Sequence, residues 1–291
     1  MIPLPRALVL ALGFYFGIPV VQISGTLQGQ TAPTDSILAI AHTLFTEAGL
    51  LANQGHQDEA ESKFQRVLDI REQALGLDHP DVALTLHNLG FIYNAQGRYA
   101  EAEPLLRRAL IIREAALGPQ HLEVALTLNS LAFTYGVRSR YEEAEPLYER
   151  ALAIDEIVLG PNHLEVAHVL SNLGMLYDDL DRYIEARSVY ERVLAIRETV
   201  LGLGHPDVAD ALINLASLYH HQELYAEAIP LYRRSLDIRK VEFGPEHSDT
   251  GLALENLILA CELFFALPYI VQEQQSITAP ESMTVLCRPS P

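Results

Sequence analysis

Tryptophan is absent from these 291 residues, and only two cysteines occur, Cys261 and Cys287. Neither belongs to a CxxC pair or a His/Cys cluster, so neither a disulfide framework nor a structural zinc site is signalled. Basic residues are scarce. Lys plus Arg number 20 against 38 Asp plus Glu, a formal net charge of -18. That surplus argues against nucleic acid or an anionic membrane surface as the partner, because both repel it. No nucleophile elbow, phosphate loop or HExxH motif occurs, and no cofactor is implied.

What is present begins with residues 1–32, which differ from the rest. Arg6 precedes an apolar run from Ala7 to Ile23, followed by Ser24-Gly25-Thr26. One basic residue, an apolar stretch and small residues form the pattern of an export signal. The run is short for a transmembrane helix, which wants about 20 residues, and Gly13, Gly17 and Pro19 interrupt it. Export or an uncleaved N-terminal anchor is expected; the alternative is a leader on a cytoplasmic protein.

From residue 33 onward the chain repeats itself. Leu75-Gly76-x-x-His79, Leu117-Gly118-x-x-His121, Leu159-Gly160-x-x-His163, Leu201-Gly202-x-x-His205 and Phe243-Gly244-x-x-His247 recur every 42 residues without insertion or deletion. Each unit reads as two helices. Val82, Leu86, Leu89 and Tyr93 fall on one stripe at helical spacing. Asp81, Glu123, Glu165, Asp207 and Asp249 keep an acid in the first turn, where the helix end is positive. Gly97 ends the first helix, and a second starts near Tyr99. Gly90, Ala132, Gly174 and Ala216, with Ala102, Ala144, Ala186 and Ala228, mark close contact within hairpins. Tyr93, Tyr135, Tyr177 and Tyr219, with Tyr148, Tyr190 and Tyr232, read as packing residues. Arg66, Arg108, Arg150, Arg192 and Arg234, and also Arg71, Arg113, Arg197 and Arg239, suggest salt bridges between repeats. The units amount to about five hairpins and a closing helix across residues 33–266, with an irregular, disordered tail expected at 267–291.

Leu89-Gly90-x-x-Tyr93, Tyr99-x-x-Ala102 and Ala109 have the spacing of the tetratricopeptide repeat. The 42-residue form resembles the repeats of kinesin light chains and their prokaryotic relatives, over roughly residues 35–266. The resemblance implies an all-α fold: a right-handed superhelical solenoid of antiparallel helix pairs, its first helices lining a concave groove. It also implies a non-catalytic scaffold that binds protein or peptide, since the repeats leave no room for a catalytic domain.

On that groove face the candidate partner-binding residues are Asn88, Phe91, Asn129, Phe133, Asn172, Asp178, Asn214, His220 and Asn256. Asn88, Ser130, Asn172, Asn214 and Asn256 form one series, and such amides can donate to and accept from an extended peptide backbone. The alternative is that they brace neighbouring helices. Leu84, His87, Asn94, Leu126, Gly136, His168, Ser171, Met175, Asp179, Asp210, Ile213, Ser217 and His221 complete the face, with no Lys or Arg among them. An apolar half near Phe91 and Phe133 and an acidic half near Asp178, Asp179 and Asp210 favour an apolar or basic partner over an acidic one. The turn histidines are too far apart to share a metal ion and read as braces for helix starts. His220 and His221 stand one repeat after Asp178 and Asp179, and an ion-pair ladder is favoured there over a metal site. The competing functional reading is a structural or oligomerising protein tethered at a membrane through its N-terminus.

Overall fold

A computed structural model of the chain describes residues 33–267 and 285–287. The leader 1–32 and most of the tail 267–291 lie outside the described residues. Among the described residues are eleven helices and no strands: α1 (Pro33–Asn53), α2 (Gln57–Leu75), α3 (Pro80–Ala95), α4 (Tyr99–Leu117), α5 (Leu122–Gly136), α6 (Tyr141–Leu159), α7 (Leu164–Asp179), α8 (Tyr183–Leu201), α9 (Pro206–His221), α10 (Tyr225–Phe243) and α11 (Ser248–Ala266). None of the described helices is long and apolar enough to cross a membrane. The residues gather into two compact units that divide between Ile154 and Asp155, within α6. In the first, α1 packs on α2, α2 on α3, α3 on α4 and α4 on α5. In the second, α7 packs on α8, α8 on α9, α9 on α10 and α10 on α11.

The turn histidine starts each first helix. The Nδ1 atoms of His79, His121, His163, His205 and His247 accept from the backbone N–H two residues on, at 3.1–3.2 Å. Each occupies the cap position in extended backbone geometry, so one orphan N–H of the first turn is satisfied. The bracing role read from the sequence is thus observed at all five positions.

The turn from first to second helix requires one residue of left-handed backbone. Gly97 supplies it at φ 74°, but Ser139, Asp181 and Glu223 adopt φ 59°, 56° and 60° at the equivalent places. A side chain there costs about 1–2 kcal/mol. The hairpin contact behind the turn is close. A Cβ added to Gly90 would lie 2.6 Å from Leu106 Cγ, and one added to Gly174 would lie 2.5 Å from Tyr190 Cε1. Tyr93, Tyr135, Tyr148, Tyr177, Tyr190 and Tyr232 are all buried, as a packing role demands. Arg98, Arg140 and Arg182 cover the faces of Tyr93, Tyr135 and Tyr177 at 4.1–4.2 Å.

The arginine ladder of the second helices runs in register. Arg108 pairs with Glu72, Arg150 with Glu114, Arg192 with Glu156 and Arg234 with Glu198. Each also donates to a carbonyl in the preceding Leu-Gly turn: Leu77, Pro119, Pro161 and Leu203. Exposed pairs of this kind contribute little singly, on the order of 0–1 kcal/mol.

Two outcomes follow, both read by urea unfolding. His163→Ala should destabilise its repeat by about 1 kcal/mol, whereas His163→Asn retains a capping acceptor and most of that stability. Ser139→Gly should raise stability by about 0.5–1 kcal/mol, the relieved backbone strain being partly offset by glycine's larger freedom in the unfolded chain.

Candidate binding face on the first helices

Which residues of a first helix reach solvent follows from what the other faces touch. In α3, Val82, Leu86 and Leu89 are buried in the core, and Gly90 abuts α4. Thr85 is buried against α2, where Arg71 Nη1 donates to its Oγ1 at 2.8 Å. Asn94 is buried against α5, its Nδ2 3.0 Å from Thr134 Oγ1. Leu84, Asn88 and Phe91 remain, one stripe at helical spacing, all half-buried. The equivalent stripe in α5 is Leu126, Ser130 and Phe133, with Leu126 41% exposed. In the first unit the face is therefore apolar with a polar centre. Asn88 Nδ2 donates to Leu84 O at 2.8 Å and Ser130 Oγ to Leu126 O at 3.1 Å, so both polar groups turn back on their own helices. Phe133 meets Tyr99 edge-on at 6.5 Å, and Phe91 packs against the cluster built on Phe64.

Asn129, also a candidate, stands differently. It is 8% exposed, and His87, Ser171 and Ile213 at the equivalent positions are buried as well. This row is buried and offers little to a ligand. Burial, and then the nearby Arg113 charge, holds the His87 imidazole well below its ordinary pKa.

In the second unit the same stripe is mixed: His168, Asn172 and Met175 on α7, the polar Asp210, Asn214 and Ser217 on α9, and Leu252, Asn256 and Leu259 on α11, where both leucines are exposed. Two of its acids have partners close by. Asp178 Oδ2 lies 2.9 Å from His221 Nδ1, the adjacency that the sequence suggested. Asp210 Oδ1 accepts from Arg239 Nη2 at 2.6 Å. His220 turns away from this pair and stands edge-on to Tyr225 at 5.3 Å and Tyr232 at 6.4 Å. Burial lowers its pKa, and the neighbouring His221 adds to the effect. Among the described residues no group of three or more His, Cys, Asp or Glu is arranged to hold a metal ion. Asn214 keeps its Nδ2 buried without an acceptor, so that N–H is not offered to solvent.

Helices in repeated pairs with this register match the tetratricopeptide repeat profile over residues 39–110, 81–156, 123–199 and 207–263. The chain belongs to the tetratricopeptide repeat family. Its array is similar to the nearly identical TPR-like repeats of a kinesin light chain from Podosopora anserina, at 25% identity and TM-score 0.58, over 69% of this chain and 96% of that one. It also shares its fold with BtubC (BKLC) from P. vanneervenii, at 20% identity and TM-score 0.57, over 90% and 96% of the two chains. The apo form of RapI has the same fold at 17% identity and TM-score 0.64, over 81% and 79%. No curated protein matches the chain. Tetratricopeptide arrays are generally non-catalytic scaffolds for protein–protein interaction.

The second arginine series, expected to bridge repeats, does so, but one of its places holds an acid that the sequence analysis did not single out. Arg71, Arg113, Arg197 and Arg239 each reach from a second helix to the start of the next first helix, donating to the carbonyls of Asp81, Glu123, Asp207 and Asp249 at 2.9–3.0 Å. The third place in that series, between Arg113 and Arg197, is Asp155. It is 5% exposed and faces Glu165. Burial, and then the Glu165 charge, pushes its carboxyl up to about 7. Glu165 itself is raised by burial, opposed by His163. The gap in the arginine series was the available signal.

Asp155 binds its proton more tightly folded than unfolded. The stability it confers is complete below about pH 4, the ordinary carboxylate range, and is lost as pH rises through 7. Urea unfolding between pH 5 and 8 should therefore show wild type weakening relative to Asp155→Asn, by at most about 3 kcal/mol. Parallel pH profiles for the two proteins would contradict this account.

Proposed function

We propose that this tetratricopeptide array is a non-catalytic scaffold that captures an extended, apolar segment of a partner protein on its first helices. The observation that carries the reading is the partly exposed stripe of Leu84, Asn88 and Phe91 on α3 with Leu126, Ser130 and Phe133 on α5. Partly exposed leucines and phenylalanines flanking small polar groups suit side chains of an extended peptide better than a charged ligand. With Asp178 and Asp210 already paired, apolar character outweighs positive charge in the expected partner.

A second reading, self-association, has one observation in its favour. Ile157, Ile184 and Val241 on second helices are 76%, 76% and 89% exposed. Sedimentation velocity distinguishes the two: a monomer at micromolar concentration disfavours it. For residues 1–32 we propose an export signal or a membrane anchor, the alternative being a leader on a cytoplasmic protein; sequencing the mature N-terminus tests for cleavage.

Selection of random displayed peptides should enrich apolar sequences. Leu126→Asp should then weaken the selected peptides by about tenfold or more, with the melting temperature of the array unchanged. Failure to enrich any sequence, or equal binding by Leu126→Asp, removes the first-helix face as the binding surface.

A further inference from the structure

The last described helix differs from the other first helices at one position. Cys261 in α11 stands where Tyr93, Tyr135, Tyr177 and Tyr219 stand in earlier units. In an earlier repeat, Arg107 of α4 donates from Nε to the Tyr135 hydroxyl at 2.7 Å. Arg233 occupies the equivalent place in α10, and a cysteine offers it no hydroxyl. It donates instead from Nε to the carbonyl of Leu286 at 2.8 Å, and its Nη2 contacts the same oxygen. Cys287, the next residue, is joined to Cys261 by a disulfide that spans 26 residues of sequence. Leu286 and Cys287 pack against the terminal core of Tyr232, Leu257, Ala260 and Phe264. This corrects two expectations from the sequence: the cysteines do form a bridge, and residues 285–287 of the tail are held on the array.

The bridge and the Arg233 hydrogen bonds hold the same three residues from two sides. A terminal repeat has an open core face that needs shielding, and here the shield is tethered covalently. We propose that oxidation of Cys261 and Cys287 clamps residues 285–287 onto α10 and α11, making the end of the array a redox-dependent cap.

Closing the clamp breaks two S–H bonds and forms one S–S bond. Two electrons and two protons pass to a disulfide oxidant such as oxidised glutathione. A dithiol reductant reverses the step by exchange, attacking the half-buried Cys287 more readily than Cys261, which is 7% exposed. The cap thus forms in an oxidising compartment and stays open under cytosolic conditions. That dependence is independent of which ligand the first-helix face takes.

The full chain, refolded in glutathione redox buffer, provides the test. Alkylation under denaturing conditions should find no free thiol, and two after treatment with dithiothreitol. Amide hydrogen exchange, compared before and after reduction, should accelerate on the order of 100-fold in α10 and α11, with α1–α4 unchanged. Arg233→Ala should speed the same helices by a smaller factor while leaving the disulfide intact. Two free thiols in the oxidised preparation would overturn the clamp. So would unchanged exchange in α10 and α11 on reduction, or equal acceleration in every helix.

Discussion

A repeat array stands or falls on the joint between the second helix of one unit and the first helix of the next. That joint brings the end of one helix beside the polar start of another, and the backbone groups there must find partners. Here an arginine from the second helix reaches the first-turn carbonyl of the following helix, at Arg71, Arg113, Arg197 and Arg239. Thr85 and Thr127 accept from the same guanidinium in the first two of these joints. The turn histidine meanwhile accepts from an N–H of the same turn. Acceptors and donors at the helix start are therefore matched from two directions, and the 42-residue spacing follows from keeping both in register.

Where that match is broken, the consequences are local and chemical. Asp155 places a carboxyl beside Glu165 where elsewhere a guanidinium faces an acid. The joint survives because a protonated carboxyl is tolerable in a buried site, and so it becomes sensitive to pH near neutrality. Cys261 is a second departure from the repeat, replacing a tyrosine. There the loss of a hydroxyl is met by a carbonyl brought from far along the chain and secured by a covalent bond. Both departures fall at points where one unit lacks the partner that regular repetition would supply.

The binding face shows how far pattern alone carries. Helical periodicity separates the buried stripe from the rest, but not residues that touch a neighbouring first helix from residues that face solvent. Both lie opposite the core stripe on a single helix. Asn88 and Asn129 therefore read alike in sequence, yet one borders the exposed stripe and the other is almost wholly enclosed. Likewise Asp178, Asp179 and Asp210 read as an acidic half-face, because the partners of Asp178 and Asp210 stand 43 and 29 residues away. Charge balance across such distances emerges only when successive helices are laid side by side.

The sequence by itself determined the helix pairs, their limits to within a residue or two, the capping histidines, the close glycine and alanine contacts and the register of the arginine ladder. All of these rest on local periodicity or on a repeat that copies each contact 42 residues later. Tertiary structure alone decided the pairing of Cys261 with Cys287, the enclosure of Asn129, the partners of Asp178 and Asp210 and the meeting of Asp155 with Glu165. Those are single events. They depend on which helices pack together and in what orientation, and the repeat has no second copy from which to read them.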